Sequence, residues 1–270
     1  MKRKTGVFAT SSVDAHGDTF TREHLEQLVA ESNKVWMPLV IEHDPRIEPV
    51  GRMTSARLIT RADGVHLAEG EYEMFEEGDV IPLSDDDREI PLETLNPDQM
   101  LIHYDRPYAQ SAERFALVKE LADAAGAQTQ QDFKKSQDPI SVLTVATFVG
   151  GAIAAGFLSK LAGDAYELFK RKLKQLFASP DEKDRLLIFL FVTEREGVAI
   201  NVQVILTNPT SEDIDTFLAA GTTLLQEAFE AHFDSSLGIR QMTYEYSARQ
   251  LRLRFAVRKD AVPMLPRRRG

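Results

Sequence analysis

The chain has 270 residues, 43% of them hydrophobic, and a net charge of −10 from 42 acidic and 32 basic side chains. That length accommodates one large domain or two small ones, and the acidic balance argues against nonspecific nucleic-acid binding by the protein as a whole. There is no cysteine, which excludes disulfides, thiolate catalysis and cysteine zinc sites and suits a reducing compartment.

The basic start, Met1 to Gly6, has no apolar run behind it, unlike a secretory signal. Residues 5–12 read as a strand and Asp14 to Gly17 as the turn that ends it. Thr21 caps a helix whose apolar face is Leu25, Leu28 and Val29. Residues 35–43 read as a second strand, with Pro38 placing it at a sheet edge or at its own start. Residues 50–60 and 64–74 form a hairpin around Ala62-Asp63-Gly64. Residues 76–99 are acidic, with Asp85, Asp86 and Asp87 in succession, and read as an irregular excursion. Met100 to Tyr104 is a further strand. Ser111 to Ala125 is a helix with Phe115, Val118, Leu121 and Ala122 inward, ended by Gly126.

A polar linker, 127–138, follows. From Ile140 to Ser159 there is then no charged residue over about 20 positions, the length that spans a bilayer core, at a mean hydropathy of about 2. Behind it, Leu161, Tyr166, Leu168, Phe169, Leu173 and Leu176 alternate with Lys170, Arg171, Lys172 and Lys174 in an amphipathic, basic pattern. Pro139 suits a first helical turn and Ser179-Pro180 a stop, so a single helix, apolar then basic, is expected over 139–178. Small residues at four-residue spacing, Ala146, Gly150 and Ala154 with Gly151, Ala155 and Gly156 beside them, are the close-packing pattern of associating helices. They do not form a phosphate loop. The last block reads as strands at 186–193 and 198–206, a helix over 211–233, and strands at 239–246 and 250–257. The expected fold class is therefore α+β: a β-rich domain over 1–126, the linker, a long central helix, a C-terminal β-β-α-β-β sandwich over 184–262, and a basic tail over 263–270.

One part of this order has a counterpart. The strand ending in Asp14-Ala15-His16-Gly17-Asp18, the helix after Thr21, the segment Pro38 to Pro45 containing His43-Asp44-Pro45, and Val50-Gly51-Arg52 together resemble the opening of the tailed-phage prohead (capsid-maturation) serine proteases, over residues 5–75. The resemblance implies that a buried strand delivers a catalytic His, here His43, as general base. The family's nucleophile strand, a Leu-Ser-Ile-Gly-like sequence, has no equivalent in this chain, which puts catalysis in doubt.

Three serines come into question as a nucleophile. Ser84 stands among aspartates that oppose ionisation of its hydroxyl. Ser55 lies on the strand after the one carrying His43. Ser111 is the remaining catalytic candidate, although Ser-Ala-Glu-Arg also reads as a helix N-cap. Asp14, His16, Asp18, His43 and Asp44 could converge on a metal, but no His-x3-His or Glu-x-x-His spacing accompanies them, and Asp14 and Asp18 read as turn-builders. No metal and no cofactor is expected. The reading is a non-catalytic assembly or membrane-associated protein of a bacterium or phage. It carries a degenerate prohead-protease-like domain, with a place in phage–host interaction by extension of the resemblance. It is expected as a homo-oligomer with a membrane or a protein as further partner, cytoplasmic or associated with the inner membrane. Gly150, Gly151, Ala155 and Gly156 would form the oligomerisation or membrane face. The alternative is a serine peptidase or hydrolase using His43 as base.

Overall fold

The computed structural model describes residues 1–13, 19–42, 44–76, 78–97, 99–132, 141–150, 153, 161, 163–178 and 184–266. The chain divides into two units, Met1–Pro91 with Val257–Met264, and Leu92–Ala256 with Leu265–Gly270. The first division falls after Pro91 rather than after residue 126, and the first unit is completed by a segment from near the C-terminus.

The first unit holds an antiparallel sheet of β1 (Lys2–Thr10), β2 (Met37–Leu39), β3 (Gly51–Thr60) and β4 (His66–Met74) in the order β1-β4-β3-β2. The β3–β4 hairpin turns through Ala62-Asp63-Gly64, where Gly64 takes a φ of 83° and Asp63 Oδ1 accepts from the Val65 N–H. Helix α1 (Arg22–Ser32) opens on Thr21, whose hydroxyl accepts from the His24 N–H. Leu25 on α1 is fully buried against Ala9 and Ala68, with Leu28, Val29, Phe8 and Leu58 around them. The expected strand over 35–43 is only three residues long. Beyond it the backbone turns, with Asp44 N–H donating to the Ile41 carbonyl.

The second unit is built on a mixed sheet. Its strands are β5 (Met100–Asp105), β6 (Gln128–Asp132), β7 (Ser141–Gly150), β8 (Arg185–Arg195), β9 (Val198–Thr207), β10 (Ile239–Ser247) and β11 (Gln250–Arg258), in the order β11-β10-β9-β8-β7-β5-β6. The pairs β5–β6, β7–β8 and β9–β10 are parallel, and β5–β7 and β8–β9 antiparallel. Each parallel pair is joined by helix, as a crossover demands. The first crossover is α2 (Arg106–Gln110) with α3 (Ala112–Ala125). The second contains α4 (Asp164–Leu176). The third is α5 (Ser211–Thr216), a π-helical turn at Phe217–Gly221 and α6 (Thr222–His232). Tyr104 and Phe189 stand on the same sheet face by register, and meet Phe115 of α3 and Phe217 of the third crossover. The other face of β7 and β8 is buried too, in the clusters Val142, Leu186, Ile188 and Ile205, and Leu95, Leu101, Ala146, Leu190 and Val192.

The structure overturns the long central helix. Ser141–Gly150 is a strand in the middle of the sheet, and helix begins only at Asp164. Half of that strand's residues, Val142, Thr144, Val145, Thr147 and Val149, are β-branched, and its lack of charge follows from burial on both faces rather than from contact with lipid. No helix among the described residues is long and apolar enough to cross a membrane. Ala146 and Gly150 therefore share no helical face; Gly150 lies at the end of β7, beside a register shift against Thr193. Gly151, Ala155 and Gly156 lie outside the described residues. The order β8-β9-helix-β10-β11 is as expected, but these strands continue through β8–β7 pairing into the larger sheet.

Candidate functional site

His43, Asp14, His16 and Asp18 lie outside the described residues. The residues flanking position 43 are described. Glu42 has a φ of 53°, a left-handed conformation uncommon for a side chain of its kind. Asp44 is buried and held by its neighbour: Arg46 donates from Nε at 2.9 Å and from Nη2 at 2.7 Å, and its backbone N–H adds a third bond at 2.9 Å.

The hydroxyls of Ser111 and Ser84 are engaged structurally. Ser111 caps α3, accepting from the Arg114 N–H at 3.3 Å. Ser84 Oγ accepts from the Asp86 N–H at 3.2 Å. Ser55 is half-buried on β3, next to a register shift. No group of three or more His, Asp or Glu side chains among the described residues is placed to hold a metal.

The chemistry-bearing groups that do converge lie in the first unit; Gly51-Arg52 stood out in the sequence as a motif, but its partners Glu73, Arg258 and Asp260 did not. The Gly51-Arg52 pair is the centre. A Cβ at Gly51 would stand 2.5 Å from the Glu73 carbonyl oxygen, so only glycine lets β3 and β4 approach at this register. Arg52 is then buried and donates from Nε and Nη2 to Glu73 Oε2, at 3.1 and 3.0 Å. Its Nη1 donates to the Asp260 carbonyl at 2.9 Å and lies 3.3 Å from Asp260 Oδ2. Asp260 is fully buried. Arg258 forks onto its carboxylate at 2.9 and 2.6 Å, and the Ser84 N–H adds a bond at 3.1 Å. Burial by itself would raise the Asp260 carboxyl. The Arg258 fork, the Ser84 N–H and the Arg52 charge outweigh it and hold the group below the usual carboxylate range. Two guanidiniums lie over the Trp36 ring, Arg52 at 4.3 Å and Arg88 at 3.8 Å from a ring centroid. Arg88 also forks onto Asp86, which lowers that carboxyl.

These groups satisfy one another. Each carboxylate faces a guanidinium: Glu73 faces Arg52, Asp260 faces Arg52 and Arg258, and Asp86 faces Arg88. The signal that could have located the cluster is the Arg258-x-Asp260 spacing together with Arg52, but their contact spans 208 positions of sequence and no local pattern announces it.

The second unit offers an open cleft of about 540 Å³ along α4 and α5, lined by Lys170, Arg171, Lys174, Ser211 and Asp215 among others. Two of its cations are neutralised in place, Lys170 by Glu167 at 2.9 Å and Lys174 by Asp215 at 2.7 Å. The basic half of the expected helix is thus the outer face of α4, with Phe169, Leu173 and Leu176 inward.

No protein-family model matches this chain, and neither does any curated protein or solved structure.

Proposed function

We propose that the protein is a non-catalytic assembly protein whose first unit is a prohead-protease-like domain without catalysis, used to recognise a protein partner or further copies of the same chain. The observation that carries this reading is the use of the Gly51-Arg52 motif: both residues close the first unit, one by permitting a tight strand approach and the other by bonding Glu73 and Asp260. The hydroxyls of Ser84 and Ser111 are engaged in the same structural way, as turn and cap. A second reading, a serine hydrolase with His43 as general base, has one observation in its favour, the left-handed Glu42 beside it, since backbone strain of this kind gathers at functional sites.

A fluorophosphonate probe separates the two. The assembly reading expects no labelling of wild type, and light scattering that gives a mass above that of one chain, or a shift to a complex when partner protein is added. Labelling of wild type that disappears in His43→Ala replaces it with the hydrolase. A wild type that is monomeric, unlabelled and captures no partner sinks both.

A further inference from the structure

Residues 80–84 have neither helix nor strand, and expose Val80 at 95% and Leu83 at 40%. Among the described residues, the backbone of Ile81–Ser84 is held from one direction only. Arg258 Nη1 donates to the Ile81 carbonyl at 2.8 Å and Nη2 to the Pro82 carbonyl at 2.9 Å. The Ser84 N–H donates to Asp260 Oδ2 at 3.1 Å. The Ile90 N–H donates to the Lys259 carbonyl at 2.8 Å. The stretch between, Asp86 to Glu89, has anchors of its own. Arg88 Nη1 donates to the Thr54 carbonyl at 2.9 Å and its guanidinium stacks on the Trp36 ring, and the Trp36 backbone N–H donates to the Glu89 carbonyl at 3.1 Å. Ile81–Ser84 is thus tied to Val257–Met264, whereas Asp86–Glu89 is tied to Thr54 and Trp36 as well.

The segment that does the holding is itself shaped for it. Its turn closes through Ala261 N–H to the Arg258 carbonyl and Arg258 N–H to the Val262 carbonyl, both at 3.0 Å. That places Ala261 in the left-handed region at φ 65°, a conformation an alanine keeps only when its surroundings impose it. Asp260 and Ala261 have no exposed surface, and Arg52 is the side chain of β3 that receives the turn.

We infer that Val257–Met264 is a latch: docked on Arg52, it sets the conformation of Ile81–Ser84 and with it the presentation of Val80 and Leu83, and its release frees that loop while the β1-β4-β3-β2 sheet stays formed. The inference does not depend on whether the first unit is catalytic. It assigns the C-terminal part of the chain control over a surface loop of the N-terminal part, through side chains that belong to one cooperative cluster.

Hydrogen exchange of individual amides, followed by NMR on the full-length chain, tests it. In Asp260→Ala and in Arg258→Met the Ser84 and Ile90 amides should exchange about tenfold faster or more, the size of a lost charge-assisted bond. The amides of β3 and β4 should accelerate far less than those of Ser84 and Ile90, and the amides of β8 should keep their wild-type rates. Lys259→Ala should change nothing, because Lys259 contributes its carbonyl. Unchanged exchange at Ser84 in Asp260→Ala overturns the latch. Equal acceleration throughout β3 and β4 also overturns it, since the segment would then be ordinary core. Should Asp260→Ala fail to fold, Asp260→Asn keeps an acceptor for the Ser84 N–H and removes the charge facing Arg52 and Arg258. It gives the same two outcomes at smaller amplitude.

Discussion

Met1–Pro91 with Val257–Met264 buries few large apolar side chains, Leu25, Trp36, Met53 and Ile90 among them, and closes on Arg52, Glu73 and Asp260. Leu92–Ala256 buries Phe169, Phe189, Phe191, Phe217 and Phe229 together with nearly every side chain of β8. Apolar contact is non-directional and tolerates repacking. A buried ion cluster is the opposite: its attraction offsets the desolvation of its charges only when all partners are in place. The first unit should therefore be sensitive to single charge removals and to pH, and the second to lost volume. Trp36 is the only tryptophan in the chain and lies in the first unit, so its fluorescence reports that unit, while far-ultraviolet dichroism is dominated by the second.

The largest effects break the comparison outright. Phe189→Ala removes a fully buried ring packed on Phe217 and should cost about 3–5 kcal/mol, seen as an earlier dichroism transition in urea. If the Trp36 transition moves equally, the units unfold as one and the contrast between them fails. Arg52→Met strands Glu73 and Asp260 in the interior and should cost about 3–5 kcal/mol, read this time from Trp36. A loss under 1 kcal/mol would mean the cluster is not what closes the first unit.

Acid sharpens the contrast. The Asp260 carboxyl titrates lower in the folded protein than the ordinary 3.8 of an unfolded aspartate. Its contribution is therefore fully present above that value and is lost as pH falls through the folded pKa. Urea midpoints from Trp36 should be flat from pH 7 to about 5 and then fall as acid is added, faster than midpoints from dichroism. Parallel curves would assign the acid sensitivity elsewhere.

Smaller changes probe local geometry. Ser111→Ala removes the cap of α3 and should cost about 1 kcal/mol, with Ser111→Asp restoring it and neither changing partner binding. Loss of an activity in both variants would return Ser111 to the list of catalytic candidates. Ala248 and Arg249 make the two-residue β10–β11 turn with φ of 50° and 61°. Ala248→Asn, which tolerates that region, should stabilise the second unit by about 0.5–1 kcal/mol in thermal melts.

Signals that act within a few residues were legible in the sequence. Thr21, Ser111 and Gly126 cap the helices they were expected to cap, Ala62-Asp63-Gly64 turns the first hairpin, and the strands expected at 186–193 and 198–206 form β8 and β9. Caps and turns satisfy backbone groups from adjacent side chains, so the information is local.

Three things were decided only in three dimensions. Ser141–Gly150 has the composition of a buried helix as much as of a buried strand, and it is a strand because β5 and β8 supply partners on both sides. Gly51-Arg52 reads as a family-like motif, yet its roles come from Glu73 and Asp260, which no spacing links to it. Val257–Met264 begins within the last two residues of β11, whose earlier residues lie in the second unit, and still belongs with the first. By itself the sequence determined where elements begin and end and which faces are apolar, because capping, turn chemistry and side-chain period are properties of neighbouring residues. Which strands pair, which charges meet and which distant segment completes a unit were settled by the tertiary structure, because desolvating an arginine is tolerable only where carboxylates from other parts of the chain arrive beside it.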